Sequence, residues 1–336
     1  MDVALVLAVG LAFAFALTNG FHDASNAIAT LVATRAARPA QAIVLAAVFN
    51  MLGPLLVGSA VANTIAKIVA VPATETVAVV GSGLAAATLW NLVTWWRGLP
   101  SSSGHALVGG LVGAALVEGG AGAVNWGGFH GWRPAGVIGT LVVLAVSPLL
   151  GAAAAFGLVR LLQRGVRRAT RRLRAPVNAG QWLGSAALAF SHGSNDAQKS
   201  VGVIAALLVA SGHASSLSAP TWATVGSAGV LTVGTALGGW KIVRTIGHRI
   251  YRIRPLDGLA SQTSSTAVIL GSSFLGAPVS TTHVVASSVV GLGAGRRRYR
   301  HIRWEVVKEM GVAWVTTIPA SGILAAIVYL VWRWVS

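Results

Sequence analysis

The chain contains no cysteine and only eight acidic residues among 336. The first absence excludes disulfides, thiolate chemistry and cysteine-ligated metals, and it leaves the redox compartment unreadable. The second is more restrictive. Asp, Glu, Lys and Arg together make up 10% of the chain, where a soluble domain carries about 25%. No polar stretch is long enough to fold as a separate water-soluble domain. A basic leader is missing too. Asp2 stands where a cleavable signal peptide would carry Lys or Arg, so the first apolar run is expected to stay in the protein as a span.

What fills the chain instead is apolar. Hydrophobic residues account for 54%, and the mean hydropathy is +0.72. Apolar runs of membrane-crossing length recur from end to end. The expected fold is an all-α polytopic membrane protein, with ten spans at about 3–34, 40–60, 77–96, 99–118, 134–159, 180–211, 221–239, 257–275, 278–294 and 310–333. The first and sixth exceed the roughly 20 residues one straight span needs. Each holds an Asp at its centre beside Gly and Asn or Ser, so an interrupted or deeply kinked helix is expected there.

The net charge of +17 raises nucleic acid as a partner. In a membrane protein, basic residues mark cytoplasmic loops that face anionic lipid, so the bilayer is the expected partner and nucleic acid is not. The densest stretch is 160–174, with Arg160, Arg164, Arg167, Arg168, Arg171, Arg172 and Arg174. With that loop inside, every Lys and Arg falls inside except Lys67, Arg133 and Arg333, which lie outside, and Lys199, which is mid-span. Both termini are then external. Trp95, Trp96, Trp126, Trp132, Trp332 and Trp334 sit near span ends, as interfacial anchors do.

Two phrases occur twice. G-F-H-D-A-S-N-A-I-A at 20–29 answers G-S-N-D-A-Q-K-S-V-G at 193–202, pairing Asp23 with Asp196 and Asn26 with Lys199. L-P-S-S-S-G-H at 99–105 answers A-P-V-S-T-T-H at 277–283. Five spans precede residue 160 and five follow residue 179. An odd number per unit turns the second unit upside down, and matching loops carry opposite charge bias. The expected organisation is an inverted repeat at 1–159, a basic cytoplasmic linker at 160–179, and a second repeat at 180–336.

Only Asp23 and Asp196 lie deep in a span, where a charge costs about 2.5–3.5 kcal/mol on insertion scales. A carboxylate there either caps a restarted helix or binds a cation or proton, and the two roles are compatible. Pro100 and Pro278 break the chain ahead of Ser101, Ser102, Ser103 and Ser280, Thr281, Thr282. Pro suits the first turn of a new helix, whose free N–H groups and positive dipole end favour an anion. The plainer alternative is that these hydroxyls cap or cross-link helices. Lys199 either pairs with Asp196 one turn away or holds the anion and replaces a bound cation. His22, His105 and His283, with His192 beside the second Asp, are candidate proton relays; the alternative for each is a satisfied buried imidazole.

These motifs, from about residue 15 to the C-terminus, closely resemble the PiT family of inorganic phosphate transporters. The resemblance implies re-entrant Ser/Thr hairpins around phosphate, a coupling cation and usually a homodimer. It implies phosphate contact by Ser102, Ser103, Ser280, Thr281 and Thr282, with Lys199 beside them, and cation handling by Asp23, Asn26, Asn195 and Asp196. His22 and Lys199 stand where sodium-coupled members typically carry Asn. Both departures resemble the bacterial low-affinity branch, which implies import by proton symport across the bacterial inner membrane. No resident cofactor or metal is implied, although a divalent metal can travel with phosphate as cargo. A sodium-coupled symporter or a sulfate permease on the same scaffold are the alternatives. Two midplane carboxylates favour phosphate over sulfate, because HPO₄²⁻ can donate a hydrogen bond and sulfate cannot. An enzyme is not expected. Ser103 and His105 point to different faces of one helix, and no G-x-S-x-G elbow occurs.

Overall fold

The computed structural model describes residues 3–165 and 173–335. Among these, twelve α-helices form the protein, with one short β-hairpin of β1 (Gly128–His130) and β2 (Arg133–Ala135). The first six helices are α1 (Val3–Ala33), α2 (Pro39–Leu56), α3 (Ala60–Ile65), α4 (Ala73–Arg97), α5 (Ser103–Gly119) and α6 (Gly136–Gly165). The second six are α7 (Arg174–Ala210), α8 (Thr221–Leu237), α9 (Trp240–Arg244), α10 (Pro255–Phe274), α11 (Thr281–Gly295) and α12 (Trp304–Val335).

Local sequence sets the boundaries. Pro39 and Pro255 open α2 and α10 in the first helical turn, where a missing N–H costs nothing. Gly98 closes α4 in the left-handed conformation, φ 69°. Six helices are long and apolar enough to cross a membrane: α1, α2, α4, α5 with its 3₁₀ extension, α6 and α12. The outer faces of α2, α6 and α12 present bare aliphatic side chains, among them Val44, Leu149 and Val315. Such a surface suits lipid rather than water. α7 and α10 carry polar residues on buried faces, and α8 and α11 are short, so composition alone does not mark them.

Of an interruption or a kink at the two Asp residues, the interruption is absent: α1 and α7 run as continuous helix through Asp23 and Asp196. At 31 residues α1 is about 46 Å long, more than the roughly 30 Å of hydrocarbon; tilt or protrusion absorbs the excess rather than a break. The interruptions lie at 98–102 and 275–280, ahead of the Ser/Thr phrases. In the segment read as linker, α6 continues to Gly165 and α7 begins at Arg174. Arg167, Arg168, Arg171 and Arg172 lie outside the described residues.

Three of the basic loops meet at one cavity. A cavity of about 920 Å³ is lined by Arg35, Arg252, Arg254, Arg298 and Arg303, drawn from three loops read as inside. Nearby, Arg296 pairs with the buried Asp257.

Packing exchanges elements between the halves. α5 lies along α12, and α6 lies along α11; α2 packs on α7, and α8 packs on α1. α1 and α7 cross antiparallel, since Ala27 meets Ser185 while Thr34 meets Gln181. Glycines let backbones touch at matched places. A Cβ on Gly20 would lie 2.2 Å from the Leu231 carbonyl oxygen, and one on Gly193 would lie 2.2 Å from that of Asn50. A polar clamp joins α12 to α4 and α5: the fully buried Tyr329 donates its hydroxyl to Glu118, with Glu75 close by and Arg333 3.6 Å from Glu118. Tyr329→Phe removes that donor and is expected to destabilise the purified protein by about 1–3 kcal/mol, read as a lower midpoint in thermal unfolding. An unchanged midpoint would show that the clamp contributes nothing.

Candidate functional site

Four segments converge on one buried spot: the centres of α1 and α7 and the N-terminal tips of α5 and α11. The tips arise as the sequence requires. After each Pro the chain is extended, and Ser102 and Ser280 then cap the new helix. The backbone N–H of His105 donates to Ser102 Oγ at 3.2 Å, and that of His283 donates to Ser280 Oγ at 3.3 Å. By helix geometry the preceding N–H groups at each tip lack intrahelical acceptors, which leaves two positive dipole ends facing the centre.

Asp23 is held from three directions. Thr282 Oγ1 donates to its Oδ1 at 2.7 Å, Ser103 Oγ donates to its Oδ2 at 3.0 Å, and His22 Nδ1 lies 2.8 Å from Oδ1. Ser103 also reaches Asn19 Oδ1 at 2.6 Å. Asn26 Nδ2 donates to Thr281 Oγ1 and Thr282 Oγ1, at 3.2 and 3.0 Å. Asp196 has a different set. Lys199 Nζ donates to its Oδ1 at 2.5 Å, Thr281 Oγ1 donates to its Oδ2 at 3.2 Å, and His192 Nε2 lies 3.0 Å from that same Oδ2. Lys199 also donates to the Val279 carbonyl at 3.0 Å. Every one of these side chains is buried. In so dry a place each unmade hydrogen bond would cost about 1–3 kcal/mol, which is why nearly every donor has found an acceptor.

The sequence candidates therefore meet, with differences of role. Asp23, Asn26, Asp196, Lys199, Ser103, Thr281, Thr282 and His22 share one network. Ser102 and Ser280 cap the tips. Asn195 faces the α10–α11 connection: its Nδ2 donates to Ser273 and the Ala277 carbonyl, and its Oδ1 accepts from the Val279 N–H. His105 and His283 lie against each other, ring centres 4.7 Å apart, and His283 stacks on Trp314 at 3.9 Å. Neither ring hydrogen-bonds to an Asp among the described contacts. Asn19, Thr94 and Trp314 were not singled out from sequence. Asn19 precedes Asp23 by one turn and so shares its face. Thr94 sits seven residues before Ser101, whose hydroxyl donates to it at 2.9 Å and lies 3.3 Å from His22. Trp314 donates to the Pro100 carbonyl at 3.0 Å and holds the first hairpin from α12. No spacing rule links Trp314 to the hairpin.

Chemically, the spot combines cation ligands and anion donors. One ligand atom each from Asp23, His192 and Asp196 lies within 4.8 Å of the others, so a small cation could bridge the halves there. Asn19 Nδ2, Asn26 Oδ1, His105 Nδ1 and His283 Nε2 are buried without a protein partner around it. Orphaned polar atoms of this kind mark places that a polar ligand can satisfy.

Comparison with known proteins agrees with this chemistry. Residues 19–325 match the model of the phosphate transporter family. A Bacillus subtilis protein described as a "probable low-affinity inorganic phosphate transporter" is 39% identical, over 98% of each chain. A Mycobacterium tuberculosis protein of the same description is 42% identical over 97% of this chain and 76% of its own. A solved structure described as "the sodium-dependent phosphate transporter" superposes with a TM-score of 0.86 at 25% identity, covering all of both chains. This chain, a multi-pass membrane protein, belongs to the phosphate transporter family.

Proposed function

We propose that the protein imports inorganic phosphate by proton symport, with alternating access to the buried spot between α1, α7 and the two helix tips. The observation that carries the reading is the present use of the hydroxyls. Ser103, Thr281 and Thr282, the donors best placed for an anion, are spent on the two carboxylates. A cation or proton on a carboxylate removes its demand for those donors. The hydroxyls and helix-tip N–H groups can then turn to phosphate. Phosphate without the cation would meet two carboxylates balanced by the single Lys199 ammonium; the cation without phosphate would leave donors unused. Each ligand thus favours the other, which is what symport requires. Asp23 or Asp196 would take the proton; His22, which touches Asp23, Thr94 and Ser101, is placed to pass it to the first, and His192 lies 3.0 Å from the second.

The antiparallel α1–α7 crossing and the meeting of both tips at His105 and His283 support two inverted halves. The basic cavity supports a cytoplasmic side at the C-terminal end of α1. Lys199 supports protons over sodium: a fixed ammonium repels a second cation beside Asp196. A neutral metal–phosphate complex would suit the same spot as cargo.

The test is ³²P-phosphate uptake into proteoliposomes under a proton gradient or a sodium gradient imposed separately, with excess sulfate as competitor. Proton-driven uptake that resists sulfate is the expected result. Sodium-driven uptake insensitive to an uncoupler would overturn the coupling assignment, and competition by sulfate would overturn the substrate.

A further inference from the structure

Superimposing the halves by register exposes an exchange between them. An offset of 173 pairs Asp23 with Asp196 and Asn26 with Lys199; an offset of 178 pairs Ser103 with Thr281 and Gly104 with Thr282. One bond is made twice. Ser103 donates to Asp23 at 3.0 Å, and Thr281 donates to Asp196 at 3.2 Å. The next bond is made once. Thr282 donates to Asp23 at 2.7 Å and accepts from Asn26 at 3.0 Å, whereas its counterpart Gly104 has no side chain with which to reach Asp196. Lys199 supplies the missing donor, at 2.5 Å.

The two changes fit one space. A Cβ built on Gly104 would lie 3.2 Å from Lys199 Nζ, tighter than ordinary contact before any hydroxyl is added, and 3.5 Å from Lys199 Cε, in ordinary contact. A threonine at 104 would compete with the ammonium for Asp196 and press on it. An asparagine at 199, without that threonine, would leave Asp196 short of a donor. Asn with Thr, or Lys with Gly, each closes the half-site; the mixed pairs do not.

The charge follows the exchange. Asp196 has the Lys199 ammonium, and that ammonium is anchored a second time on the Val279 carbonyl. Asp23 is faced by Asn19, His22 and Asn26 of its own helix, by Ser103 of α5 and Thr282 of α11, and by His192 and Asp196 of α7. No Lys or Arg is among them. Two carboxylates therefore share one resident cation, and the uncompensated charge lies in the first half. We propose that Gly104 and Lys199 act as one unit that installs a fixed cation in the second half, leaving Asp23 as the carboxylate where the travelling cation binds, one per cycle.

This rests on cation-coupled phosphate transport, so wild-type uptake is measured first; its failure would strike that reading and not this one. The test is the number of charges moved per phosphate, from reversal potentials on proteoliposomes, for the wild type, Lys199→Asn, Gly104→Thr and the double variant. Each single substitution is expected to cut the phosphate-induced current about ten-fold or more, and the double to recover at least about a third of it. The double variant is expected to move one additional positive charge per phosphate. A double variant no better than the worse single, or one that recovers with the wild-type ratio, overturns the proposal. Asp23→Asn provides an arm independent of that repacking. It is expected to lose accumulation driven by a cation gradient. Gradient-driven accumulation by Asp23→Asn would overturn the assignment.

Discussion

Asp196→Asn proteoliposomes are expected to take up no phosphate above background, and the purified variant is expected to unfold at a clearly lower temperature than wild type. The substitution strands the Lys199 ammonium, which is 1% exposed and, among the described residues, otherwise bonded only to the Val279 carbonyl. Breaking a buried ion pair by removing one partner costs about 3–5 kcal/mol, because the other charge has neither water nor counter-charge. Thr281 and His192 would lose a charged neighbour in the same step. Lys199→Met is expected to fail comparably for the opposite reason, since it leaves an unneutralised carboxylate. The Asp196→Asn/Lys199→Met double variant separates stability from function. It removes both charges, so most of the lost stability should return while uptake stays absent. If either single variant kept wild-type stability, the pair would not be the electrostatic lock that its geometry indicates. If the double variant transported, Asp196 and Lys199 would have no role in the cycle.

The second large effect is expected from a methyl group. Gly193→Ala should lower the unfolding midpoint of the purified protein by several degrees and reduce the yield of monodisperse material. The added Cβ would lie 2.2 Å from the Asn50 carbonyl oxygen and 2.8 Å from the Asn50 Cα, both backbone atoms of α2 that no rotamer change can move aside. Gly53 makes the reciprocal contact, 2.2 Å from the Phe190 carbonyl oxygen. The helices must separate, and overpacking of this kind costs about 1–3 kcal/mol or more. Gly229→Ala is the control. It lies within α8, nothing stands within 4 Å of its Cβ, and alanine should be neutral or stabilising by up to about 1 kcal/mol. Equal effects at the two positions would sink the argument from crossing distance.

Much of this site was legible in the residues before any fold was known. Membrane insertion makes acids rare, so Asp23 and Asp196 stand out by cost alone, and Pro followed by three hydroxyl-bearing or small residues announces a helix start. Repetition of both signals fixed which residues would meet. The contacts between the halves were not legible. Asn26 and Thr281 are 255 residues apart, and Thr282 and Asp23 are 259 apart; no periodicity carries information across that separation. Length alone does not break a helix, and α1 and α7 are continuous through their Asp residues. In fact the tips bring donors to the Asp side chains, so no helix end is needed at Asp23 or Asp196 to satisfy them. The resemblance groups Asn195 with Asp196, but neighbouring residues of a helix differ in direction by about 100°, and Asn195 hydrogen-bonds to Ser273, Ala277 and Val279 at the α10–α11 connection.

The exchange of packing partners has a genetic consequence. α5 finds its companion in α12 and α6 in α11, so each half lends the other the helix that closes its core. A gene for one half alone would encode a polypeptide with two uncovered faces, and a second copy lying antiparallel would cover both. Fragments cut between residues 165 and 173 should therefore reassemble when co-expressed, each serving as the other's template. With the halves inverted as proposed, an ancestor of half this length would have needed to insert in both directions to make one working pair.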